Sequence, residues 1–142
     1  MKSCDMRFET AQDREREEKA IKLFVNVFDG KYKKLDPNDV DYKIFDKESN
    51  PIAYAEVKGR HKSIKDAYPL PIAARKLTKL MDKRLNPVVI WACEDGIIYG
   101  KVENLIGSIR YGGRPPREGA VNDGELMAYY EKQPELKYIK YQ

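Results

Sequence analysis

The stretch Asp41-Tyr42-Lys43-Ile44-Phe45-Asp46, followed by Pro51-Ile52-Ala53-Tyr54-Ala55-Glu56-Val57-Lys58, decides how this chain is read. Both runs are β-prone, and Lys47-Glu48-Ser49-Asn50 between them suits a four-residue hairpin loop. Strands are therefore expected over Val40 to Asp46 and Pro51 to Lys58. A period of two sends Glu56 and Lys58 to one face of the second strand and Val57 to the other. In an antiparallel hairpin the residues farthest from the loop pair last, which brings Asp41 near Glu56 and Lys58. A Glu and a Lys ending an apolar strand are costly to bury without partners. Asp46 abuts the turn, where Asp is ordinary, whereas Asp39 could support the cluster from behind.

Upstream, Thr10 to about Phe28 reads as a helix, with Thr10 or Asp13 as N-cap and Ala20, Ile21, Phe24 and Phe28 at helical spacing. Asp29-Gly30 ends it. At about 100° per residue Glu17 shares the stripe of Ile21, Phe24 and Phe28, while Glu15 and Glu18 project sideways. Glu17 is either aimed inward or placed one turn beyond the buried section, at the favourable end of the helix dipole.

Downstream, Gly59 to Ala67 reads as a basic loop and Pro69 to about Leu85 as a helix, with Ile72, Leu77, Leu80 and Met81 as its apolar face. Arg75, Lys76, Lys79 and Lys83 cover much of the rest. Pro87 to Cys93 and Gly96 to Val102 form a second hairpin around Glu94-Asp95-Gly96, with Trp91 as a packed aromatic. The segment Arg110 to Gly119 holds three Gly and two Pro and is expected to be irregular. Its Arg110, Arg114 and Arg117 either follow a phosphate backbone or belong to a solvated connection. Tyr129, Tyr130, Tyr138 and Tyr141 suggest a closing strand or a packed edge.

With 142 residues, 42% of them hydrophobic, the chain fits a single domain. No run approaches the roughly 18 apolar residues that span a bilayer, and the N-terminus lacks the apolar region of a signal peptide. A soluble, cytoplasmic protein without membrane contact is expected. Two cysteines and one histidine cannot build a Cys/His zinc site, so any metal must be held by oxygen, as Mg²⁺ or Mn²⁺ is. Residues 1 to 50 carry 11 Lys/Arg against 12 Asp/Glu, and residues 85 to 142 carry 7 against 8. Residues 51 to 84 carry 9 against 3, so the basic excess lies beside Glu56 and Lys58. That placement fits a polyanionic partner, or else a solvated Lys-rich helix face.

At Glu17, Asp41 and Glu56-Val57-Lys58 the chain resembles the PD-(D/E)XK nuclease superfamily, and most of all its small phage-type nucleases and Holliday junction resolvases. The motif departs from the family's in having Val40, rather than Pro, before Asp41. The resemblance implies an α/β protein with the restriction-endonuclease-like α/β/α sandwich, a central mixed β-sheet flanked by helices. It implies that Asp41 and Glu56 bind Mg²⁺ or Mn²⁺ with help from the Val57 carbonyl and Glu17, and that Lys58 orients or activates the attacking water. Arg60, His61, Lys62, Arg75 and Lys76, with Arg114 and Arg117 of the later loop, become the expected DNA contacts. The expected activity is metal-dependent hydrolysis of DNA; a non-catalytic nucleic-acid-binding protein on the same fold is the alternative, and a structural protein with an ordinary salt-bridge cluster a third. Cutting both strands or resolving a junction would favour a two-fold dimer.

Overall fold

The computed structural model describes residues 11–112 and 124–142. The first helix, α1 (Ala11–Asn26), buries Ala20, Ile21 and Val25. It stops where Asp29 takes a left-handed φ of 56° and the Gly30 N–H closes back on the Val25 carbonyl at 2.9 Å. Glycine suits position 30, because a Cβ would lie 2.8 Å from the Phe45 carbonyl oxygen as well as against the Phe28 ring.

Three strands follow: β1 (Lys31–Lys34), β2 (Tyr42–Phe45) and β3 (Pro51–Gly59). The hairpin of β2 and β3 is antiparallel with Tyr42 opposite Ala55, as the loop spacing predicts. The polar segment 31–39 contributes β1, an edge strand of three lysines and a tyrosine. Charged side chains suit an edge because they discourage pairing with a further chain.

The chain then passes through β4 (Leu70–Ala73) and α2 (Ala74–Met81) to β5 (Pro87–Ala92), which lies parallel to β3. A parallel pair needs such a crossover. The helix expected from Pro69 to Leu85 is thus divided. Leu70 and Ile72 are buried two apart and pair with Tyr130 and Ala128, so strand pairing prevails over helix at this end. The remaining strands are β6 (Gly96–Lys101), β7 (Ser108–Gly112), β8 (Glu125–Tyr130) and β9 (Lys137–Lys140). Arg110 to Gly112, expected to be irregular, lie in β7; Arg114 and Arg117 fall outside the described residues.

The protein is a mixed α/β structure built on a six-stranded mixed sheet in the order β9-β6-β5-β3-β2-β1. On one face α1 packs over Ile44, Ala55, Val57, Ile90 and Ile97. On the other, α2 and a three-stranded sheet, β4-β8-β7, cover Val89, Trp91 and Ile98. This second layer therefore combines strands with a helix. Trp91 is fully buried and donates Nε1–H to the Pro71 carbonyl at 2.8 Å, which makes it the packed aromatic the sequence predicts. Among the described residues no helix is long and apolar enough to cross a membrane.

Candidate active site

The polar ends of β2 and β3 meet where the two layers part. Asp41, just before β2, and Glu56 in β3 are locked together by reciprocal bonds. The Asp41 N–H donates to Glu56 Oε1 at 3.1 Å, and the Val57 N–H donates to Asp41 Oδ2 at 2.8 Å. These side-chain bonds tie the two segments together just beyond the last ladder pair, Tyr42 and Ala55. Glu56 is the one buried charged residue among those described, with its side chain 5% exposed.

Alternation in β3 turns Ala53, Ala55 and Val57 towards α1, leaving Glu56 and Lys58 on the side of α2. There the Lys76 ammonium stands 3.7 Å from Glu56 Oε2. Burial first, and then repulsion from Asp41, pushes the Glu56 carboxyl up to about 7. Burial likewise raises Asp41, with the charge of Glu17 adding to it and the Val57 N–H opposing. Burial lowers Lys58, helped by the nearby positive charges of Lys76 and Arg60. All three shifts disfavour charge, the expected outcome for ionisable groups withdrawn from water and set among like charges.

Glu17 reaches the same place from α1. Its Oε1 accepts the Tyr42 hydroxyl at 2.9 Å and contacts the Lys34 ammonium, which is also 3.9 Å from Asp41 Oδ1. Glu18, one residue on, is 57% exposed and pairs with Lys22 at 3.9 Å on the outer surface. The helical phase read from sequence is therefore correct, and the inward alternative for Glu17 holds.

Glu17, Lys34, Asp41, Glu56 and Lys58 line a cleft of about 1040 Å³ between α1 and α2. Arg14 and Arg16 border it on the α1 side, with Arg75, Lys76 and Lys79 on the α2 side and His61 nearby. Of the expected phosphate contacts, His61, Arg75 and Lys76 line the cleft. Arg60 and Lys62 do not. The Arg60 guanidinium instead donates to the carbonyls of Ala67 at 2.8 Å and Pro69 at 3.3 Å, fixing the loop before β4. Arg75 is paired with Glu125 at 3.0 Å. Asp39 faces Lys83 at 2.6 Å, and Lys79 Nζ donates to the Asn38 carbonyl at 2.7 Å. These two bonds moor α2 and the turn after it to the segment that leads into Asp41.

The sequence reading missed Lys34 and the hydroxyl of Tyr42. The alternation of Lys31-Tyr32-Lys33-Lys34 was the available signal for a strand, but its charges resembled those of a solvated loop. No protein-family model, no curated protein and no solved structure matches this chain.

Proposed function

We propose that this protein is a divalent-metal-dependent nuclease that hydrolyses DNA phosphodiester bonds at the Asp41–Glu56 cleft, on a restriction-endonuclease-like variant of the α/β sandwich. The observation that carries this reading is the Asp41–Glu56 pair, two carboxylates joined across the head of the cleft and withdrawn from water, whose charge Lys34 and Lys76 balance only in part. Such a pair invites a cation.

The donors suit Mg²⁺ or Mn²⁺. Among the described residues, no three His, Cys, Asp or Glu side chains form a closed metal cluster. Mg²⁺ does not ask for one, since it is commonly held by one or two carboxylates while keeping waters and substrate phosphate. Asp41 and Glu56 would hold the ion with the Val57 carbonyl, and Glu17 would support it. When bound, it would neutralise charge on the phosphate and make water a better nucleophile.

The chain's own groups supply the rest. Lys58, on the same face as Glu56, can donate hydrogen bonds to the attacking water or to a phosphate oxygen and so fix the direction of attack. Arg14, Arg16, His61 and Lys76 at the cleft border can receive flanking phosphates. Lys76 has a second use, because its ammonium beside Glu56 lies close enough to the carboxylates to approach the reacting phosphate.

A non-catalytic nucleic-acid-binding protein is the competing reading. It is favoured by the pairing of Glu17 with Lys34 and of Glu56 with Lys76, which balances part of the acidic charge without a metal. A panel of labelled single-stranded, duplex, flapped and junction DNAs, incubated with Mg²⁺, Mn²⁺ or excess chelator, separates the two. Cleavage of at least one substrate only with the ions is the expected result; salt-sensitive binding without cleavage would establish the competitor.

A further inference from the structure

Lys34 sits on edge strand β1, outside the residues that catalysis requires, yet its ammonium reaches the centre of the site. Nζ contacts Glu17 Oε1, stands 3.9 Å from Asp41 Oδ1 and lies 4.9 Å from the centroid of the Tyr42 ring. Glu17 and Asp41 are themselves mostly withdrawn from solvent, with side chains 13% and 21% exposed. Two carboxylates at such a place need positive charge between them, and here a lysine of the same chain provides it.

We infer that Lys34 is a built-in counter-cation that holds Glu17 and Asp41 together and competes with the divalent ion for them. The inference rests on the metal-site reading above. The Lys34 side chain is 47% exposed on a lysine-rich edge strand, so its four-carbon stem can carry the ammonium into solvent without unpacking the core. Glu17 keeps the Tyr42 hydroxyl when the lysine leaves, and so stays aimed at the cleft. Binding the divalent ion thus exchanges one cation for another. The carboxylates remain aligned in the absence of metal, at the expense of metal affinity.

Titration of the full chain with Mn²⁺ in a calorimeter tests this without any cleavage readout. Lys34→Gln should bind Mn²⁺ about 5-fold more tightly than wild type, the scale of an ion pair at a partly exposed site. Lys34→Arg, which keeps the charge, should retain the wild-type affinity. Lys22→Gln removes an equal charge from the outer Glu18 pair and should leave affinity unchanged. An affinity for Lys34→Gln equal to or weaker than that of wild type overturns the role of Lys34. If Mn²⁺ binding is seen and Asp41→Asn abolishes it, the metal site survives that result. If no variant binds Mn²⁺, or Asp41→Asn binds it as wild type does, the metal-site reading falls and the role of Lys34 with it.

Discussion

The hairpin of β2 and β3 carries an aspartate at each end, and the two behave in opposite ways. Asp46, at the turn, accepts hydrogen bonds from the N–H groups of Glu48 at 3.0 Å and Asn50 at 2.8 Å. Those bonds, in open solvent, hold its carboxyl below the usual range, the Asn50 N–H contributing most. Asp41, at the open end, also accepts a backbone N–H, from Val57, yet burial and the neighbouring Glu17 raise it. Residue type and strand are the same. What differs is access to water and the company of other carboxylates, and this separates a turn-forming aspartate from one held in a carboxylate cluster.

The largest expected effect breaks the hairpin's symmetry outright. Asp41→Ala and Glu56→Ala should lower metal-dependent cleavage by more than about 100-fold, beyond the loss typical of a residue that merely supports a metal ligand, while DNA affinity holds or rises. Asp46→Ala should cleave as wild type does and show only a lowered melting temperature. Equal losses at both ends would remove the distinction.

A smaller effect is expected one helix away. Glu17→Gln should weaken metal binding or cleavage by roughly 10-fold, whereas the isosteric Glu18→Gln should be nearly silent. Neutrality of both would leave Asp41 and Glu56 to complete the site alone.

The same contrast has a thermal signature. Glu56 is held up to about 7 in the fold against an ordinary value of 4.5, so between these values the folded state binds more protons than the unfolded chain, and stability falls as pH rises. Asp41, also raised, acts in the same direction. Asp46, lowered, contributes stability that is lost only on acidification through its own range. In chelator, the wild-type melting temperature should therefore decline from about pH 5 to pH 8. Glu56→Gln should flatten that decline; a steeper one would mean that Glu56 is not its source. The smallest effect concerns Arg60. Arg60→Ala should lower the melting temperature by about 4 °C through its two lost carbonyl bonds and leave DNA affinity unchanged.

Much of this was legible in the sequence because it depends on local periodicity. The hairpin register follows from a short turn, the inward phase of Glu17 from helical spacing, and the buried Trp91 from an apolar run. The errors arose where nonlocal pairing decides. Leu70 and Ile72 fit a helix as well as a strand until β8 lies beside them, more than fifty residues later in the chain. Lys34 is one charge among many until β1 is placed against Tyr42, its partner in the sheet. The bonds of Arg60 were likewise hidden, because only the folded loop brings the carbonyls of Ala67 and Pro69 within its reach.

The proposed metal site places a divalent cation at the buried end of the hairpin. Anomalous scattering from crystals of the full chain grown with Mn²⁺ tests it most directly. One Mn²⁺ peak bounded by the carboxylates of Asp41 and Glu56 is the predicted result. No peak there, at a Mn²⁺ concentration that supports DNA cleavage in solution, would contradict it.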